Sequence, residues 1–252
     1  FEDYRGGGHF SGRVTAGIVA AGAILKGALK NVGVAIGTHI LECDNVRDDE
    51  FNDIQNEVLT LDCAKFPVLN EESGKEMVAR IDWAKASLDS VGGITQTAIV
   101  GVPSGVGEPM FDSVEGVLSH ALFAIGGIKG IEFGKGFKMS RMHGSTANDS
   151  FAVVDGKIIT ATNNNGGING GISNGMPILF NCAVKPTPSI AQKQNTVDFV
   201  NGKERQIEIV GRHDPAIVRR VCHVINAVSA LAICDLLAQR YGTDVFRKGI
   251  KE

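Results

Sequence analysis

The 252 residues include 43% hydrophobic and 21% charged side chains and carry a net charge of −3. This is ordinary for a globular chain with ample material for a core, and it excludes disorder. It also argues against general binding to nucleic acid or a membrane surface, so any anionic ligand must be held by local basic residues.

The chain opens FEDYRGGGHFSGR, with no initiator Met and no leader of the signal-peptide kind, as if starting in the middle of something. VTAGIVAAGAILKGAL (14–29) is small and apolar almost all round, which predicts a helix buried among other elements. VGVAIGTHIL (32–41) reads as a strand, and the acidic, mixed residues 45–66 as a peripheral excursion. Ser73 as cap, charged faces and a glycine stop predict a helix from Lys75 to Ser90. TQTAIVGV (95–102) alternates as a strand, and Phe111 to Ile125 has apolar residues at helical spacing before Gly126–Gly127.

The second half is richer in strands. FAVVDGKIITA and TVDFVNGKERQIEIV each place an Asp-Gly or Asn-Gly pair between β-rich runs, which predicts two hairpins. MPILFNCAV (176–184) reads as a continuous apolar strand, and residues 216–240 as a long core helix too often interrupted by Arg, His, Asn and Asp to span a membrane. Helices this apolar need cover on more than one side. The expected class is therefore α+β, in one domain over residues 1–252, with buried helices against antiparallel sheets.

Four segments are candidates for chemistry. GGGHFSGR (6–13) puts a hydroxyl and a guanidinium just before a helix, where free backbone N–H groups attract anions. It is neither a dinucleotide fingerprint, since the spacing fails at Ser11, nor a P-loop. NNNGGINGGISNG (163–175) is glycine and asparagine in ten of its thirteen residues, suited to sharp turns and to bringing bare backbone close to a partner. VKPTPSI (184–190) follows a buried strand with one lysine, two prolines and two hydroxyls, a set common at phosphates and equally common in rigid exit loops. GRHDP (211–215) offers Arg, His and Asp, although Asp214–Pro215 alone reads as a helix N-cap with proline at N1. The five cysteines, Cys43, Cys63, Cys182, Cys222 and Cys234, are odd in number without any C-x-x-C spacing, which suits reduced thiols; no metal constellation is visible.

In this order the four segments closely resemble the chorismate synthase family. So do GVPSGVGEPMFD (101–112), IGGIKGIEFGKGF (125–137) and HGSTANDSF (143–151), and the likeness covers practically the whole chain. It is similar to the family's C-terminal two-thirds. The family's Gly-Glu-Ser-His motif, substrate-binding arginines and His-Ala-Asp motif are expected before Phe1.

The resemblance implies a β-α-β sandwich in which antiparallel sheets enclose central helices, assembled as a cytoplasmic homotetramer. It implies conversion of 5-enolpyruvylshikimate 3-phosphate to chorismate by 1,4-elimination of phosphate, with reduced FMN as cofactor and NADPH as a possible reductant. Carried over by position, His9, Phe10 and Ser11 match the flavin-binding triplet, of which only Ser11 keeps the family's residue type. Arg13 matches an arginine near the substrate phosphate. Gly126 and Gly127 stand where the family often has Asn-Ala at the flavin, and Gly170 matches a flavin-contacting glycine. Lys185, Pro186, Thr187, Pro188 and Ser189 match the run around the FMN phosphate and ring edge. Arg212 matches a flavin contact, and Asp214 the acidic residue near flavin N5; Asp214 and Ser11 are the catalytic candidates. On this reading residues 163–175 are backbone laid close against FMN. The alternative is a fragment that folds, oligomerises or binds flavin without turnover, because the family's histidines are expected upstream. A flavoprotein oxidoreductase is disfavoured, as no nicotinamide fingerprint is visible.

Overall fold

The computed structural model describes residues 10–61, 64–209, 211 and 213–250. In chain order the first half holds α1 (Thr15–Lys30), β1 (Ala35–Cys43), β2 (Val46–Arg47), α2 (Ile54–Leu61), α3 (Glu71–Ala86), β3 (Gly93–Val100) and α4 (Val114–Leu122). There follow β4 (Ile128–Phe133), α5 (Gly144–Ala147), β5 (Phe151–Val154), β6 (Lys157–Thr160), β7 (Ile168–Asn169) and β8 (Ile172–Ser173). The chain closes with β9 (Ile178–Val184), β10 (Gln194–Asp198), β11 (Lys203–Ile207), α6 (Val218–Tyr241) and α7 (Val245–Lys248).

One five-stranded sheet, antiparallel throughout in the order β2-β1-β3-β9-β4, organises the molecule; β5–β6, β7–β8 and β10–β11 are two-stranded. Consecutive residues of β1 show what lies on its two faces. A side chain at Gly37 would come within 2.9 Å of the Val58 backbone in α2. The next residue, Thr38, turns the other way and donates to Asn226 Oδ1 of α6 at 2.6 Å. So α2 covers one face and α6 the other, as the period-2 geometry of a strand requires. Fifteen of the 24 residues of α6 are buried, which makes it the core helix the sequence predicts. The α+β class is the one observed.

α1 departs from expectation. It forms, but among its residues only Gly22 and Leu29 are buried, while Ile18 and Ile24 are exposed. The reason is that α1 packs mainly on α6, with only small contacts to β1 and α7. It crosses α6 where Gly22 lies directly against Ala227, with no room for a Cβ, and the Leu25 carbonyl lies 3.8 Å from Cys234 Sγ. These two contacts advance together along both helices, so α1 and α6 run in the same direction. Their N-termini point to the end of the sheet where β3 begins, for Val218 would touch a side chain at Gly93.

Three local expectations also shift. α3 starts at Glu71, because the Asn70 side chain, and not Ser73, accepts the N–H groups of Glu72 and Ser73. The excursion 45–66 contains β2 and α2, and α2 is integral: Val58 is buried against the sheet. β4, hidden in a glycine-interrupted stretch, forms an edge strand on β9.

Candidate functional site

The residues singled out in the second half of the chain converge where β9 ends. Val184 is paired with Gly93 on one side and Ile128 on the other, so the loop after β9 leaves between the starts of β3 and β4. The Lys185 N–H donates to the Gly127 carbonyl at 2.9 Å. Gly127 has φ +101°, a left-handed value that favours glycine, and a Cβ there would lie 3.0 Å from Ile217 at the start of α6. Gly126 is exposed, with open space where its side chain would be.

Residues 90–92 tie these pieces together. Ser90 Oγ donates to the Thr187 carbonyl at 2.7 Å, and the Val91 N–H donates to the Pro215 carbonyl at 2.8 Å. A side chain at Gly92 would come within 2.5 Å of the Val184 carbonyl and 3.0 Å of Pro186 Cδ. Sequence reasoning took this Ser-Val-Gly-Gly segment only as a helix stop. Its glycines were the available signal, but their purpose is a tertiary contact.

Asp214 accepts the Ala216 N–H on Oδ1 at 3.3 Å and pairs through Oδ2 with the Arg220 guanidinium. It therefore closes a tight turn and does not cap α6, whose cap position is Ile217; Pro215 is accordingly not at N1. Arg220, which the sequence did not single out, lies six residues on and is the partner of Asp214. Arg212 lies outside the described residues, as does His9. His213 Nε2 donates to the Ile209 carbonyl at 2.9 Å, tying the segment to the exit of the β10–β11 hairpin.

At the start of α1, Ser11 Oγ accepts the Arg13 N–H at 3.3 Å, which leaves its own O–H to donate elsewhere. Phe10 and Arg13 are exposed. Because α1 and α6 are co-directional, Ser11 and Arg13 face the same end of the sheet as Gly127, Lys185 and Asp214.

Gly170 is not brought there within one chain. It sits exposed in the turn between β7 and β8, and no atom would touch a side chain on it. Its neighbour Gly171 meets Ser113 and the Glu108 carbonyl, at the opposite end of α4 from Gly126. The glycines of 163–175 press mainly on their own chain: a Cβ on Gly166 would meet the Gly134 N at 2.6 Å and the Leu179 carbonyl at 2.7 Å. The loop's anchor is Asp149, which the sequence did not single out. Its carboxylate accepts Thr162 Oγ1 (2.6 Å), the N–H of Asn164 (2.7 Å) and of Asn165 (2.8 Å), and Asn165 Nδ2 (2.8 Å). Burial alone would raise this carboxyl, but the four donors together hold it below its ordinary range.

The converged end carries groups that fit a phosphorylated ligand. The Lys185 ammonium is exposed without a carboxylate partner among the described residues. Thr187 Oγ1 is a buried hydroxyl with no hydrogen-bond partner. Gly126 offers bare backbone, and two helix N-termini supply positive ends.

The family model for chorismate synthase matches residues 1–238. The chain belongs to the chorismate synthase family. It is 43% identical over 240 residues to the chorismate synthase of Pyrococcus abyssi, covering 95% of this chain and 66% of that one. It is 44% identical over 238 residues to that of Lachnoclostridium phytofermentans, covering 94% and 64%. A crystal structure of chorismate synthase superposes with a TM-score of 0.77 at 27% identity, covering 93% of this chain and 66% of that one. The chain thus spans about two thirds of the length of the family members it matches.

Proposed function

We propose that this chain carries the flavin-side portion of a chorismate synthase active site, acting on 5-enolpyruvylshikimate 3-phosphate to give chorismate and phosphate with reduced FMN. The observation that supports it most is the meeting of Gly126–Gly127, Lys185–Thr187 and Asp214–Ile217 around residues 90–92. Bound reduced FMN would supply electron density to a poor allylic leaving group and recover it, with no net redox change. Lys185 would neutralise the cofactor phosphate, helped by the N-termini of α1 and α6. In the Lys185–Ser189 loop, stiffened by Pro186 and Pro188, Lys185 and Thr187 would serve the phosphate while Pro188 and Ser189 would line the ring edge, and Gly126 would let the ring approach the backbone closely. Arg13 would meet the substrate phosphate, and the Ser11 hydroxyl is free to donate to a ligand. Asp214, oriented by Arg220 and the Ala216 N–H, would accept the substrate's ring proton on a remaining carboxylate lone pair. Assembly as a cytoplasmic homotetramer, with NADPH as a source of reducing equivalents, belongs to the same reading.

The test begins with FMN itself. Titration of the protein into FMN should change flavin fluorescence, and Lys185→Ala should weaken binding by an amount that shrinks as salt rises, as for a solvent-screened ion contact. Flavin affinity unchanged by the substitution at low ionic strength would make the loop structural only. Anaerobic assay with substrate and reduced FMN then separates enzyme from binding fragment: flavin binding by residues 1–252 without chorismate supports the fragment reading for this length of chain.

A further inference from the structure

We propose that Ser90, together with the Val91 backbone, is a positioning device that sets the spacing between the Lys185–Ser189 loop and Asp214. The inference rests on the reading of this end of the molecule as an FMN site. Two adjacent residues hold two different loops. The Ser90 hydroxyl holds the first through the Thr187 carbonyl at 2.7 Å, and the Val91 N–H holds the second through the Pro215 carbonyl at 2.8 Å, one residue from Asp214. The platform beneath them is rigid. Gly93 is paired to Cys43 and to Val184, the Asp44 N–H donates to the Gly92 carbonyl at 3.1 Å, and Gly92 lets Pro186 lie directly on the chain. A further clasp, from Gln192 Nε2 to the Ser87 carbonyl at 2.8 Å, keeps the whole exit of β9 along this segment.

Two of these ties are made by side chains, and of the two only the Ser90 bond reaches the candidate phosphate loop, so its removal loosens that loop without altering backbone. Its loss leaves the Thr187 carbonyl unpaired and frees Lys185 and Thr187 to move relative to Asp214. The cofactor should then lose the part of its affinity that comes from its phosphate, and keep the part that comes from its ring.

The experiment compares FMN with riboflavin, which has the ring and lacks the phosphate, by fluorescence titration of the full-length protein. Ser90→Ala should weaken FMN binding roughly three- to tenfold, the effect of one hydrogen bond, and leave riboflavin affinity unchanged. Ser90→Thr, which keeps the hydroxyl, should restore the FMN-to-riboflavin ratio. A purely structural serine would lower both affinities together or change only the melting temperature, and either result overturns the proposal. If Ser90→Ala does not fold, Ser90→Cys keeps the volume with a weaker donor and must show the same selective loss; an unchanged ratio there counts against it equally. Failure of the unmutated protein to bind FMN would instead overturn the cofactor assignment, and this inference with it.

Discussion

Asp214 is where single-residue reasoning has most to decide. Its carboxylate closes a turn through the Ala216 N–H and holds Arg220, which is half of what a cap does and all of what an oriented base needs. Asparagine conserves the turn, since it can accept the same N–H, but removes the charge and the base. If the carboxylate receives the substrate proton, Asp214→Asn in the full-length protein should retain FMN binding and fold normally while turnover drops by about 10²–10⁴-fold, the usual worth of general acid–base assistance. Steady-state chorismate formation and a melting curve on the same preparation check this. Full turnover in the variant would return Asp214 to the turn.

At the scale of elements, the start of the Gly/Asn loop is held by a buried carboxylate, while Asn163 and Ser173 tie the rest to Pro177, Pro103 and Val106. Asp149 collects four donors, two of them backbone N–H groups of Asn164 and Asn165. Its folded-state carboxyl titrates below the ordinary value, so the native chain binds fewer protons than the unfolded one. The sign follows: this stabilisation is complete above the unfolded carboxylate value of about 4, and is lost as pH falls through the folded one. Asp149→Asn should cost about 2–3 kcal/mol at neutral pH, in the range for hydrogen bonds to a charged group. It should also flatten the decline of stability in acid. Denaturant unfolding followed from pH 7 down to pH 3 measures both, and an identical acid slope in the two proteins would refute the role given to Asp149.

The whole molecule shows in its cysteines. Cys43, Cys182, Cys222 and Cys234 are buried as free thiols. Burial pushes Cys43 up to about 11 and Cys182 up to about 12, and Cys222 is raised as well. The thiolate is the reactive form, so alkylation at pH 8 should leave Cys43, Cys182 and Cys222 untouched in the native protein. They should label together, along the same denaturant curve as loss of structure, because all three line the one core between the sheet and α6. Mass-resolved labelling of each site is the measurement; rapid native labelling of Cys182 would mean that β9 opens independently.

What the sequence determined alone is what short-range stereochemistry controls. Asp155–Gly156 makes the β5–β6 turn because both residues take positive φ, 51° and 76°, which few other pairs tolerate. The apolar run of α6, the strand β9 and the rigid exit VKPTPSI were legible for the same reason: the pattern and the structure share one period. The motifs carried the family as well, since whole segments match. What only the tertiary structure decided depends on residues far apart in the chain. The period of α1 predicts a helix but cannot say that Gly22 alone meets Ala227 while Ile24 is exposed. The spacing of Asp214–Pro215 suggests a cap, yet Arg220 and the Ala216 N–H claim the carboxylate and the helix starts at Val218. The glycines of 163–175 look like a surface for a ligand, yet three of the five are pressed against their own chain: Gly166 on Gly134 and Leu179, Gly167 on Met176 and Pro177, and Gly171 on Ser113 and the Glu108 carbonyl. Ser90 carries no local signal at all, because its partner, the Thr187 carbonyl, lies 97 residues away and is brought near only when β3 pairs with β9.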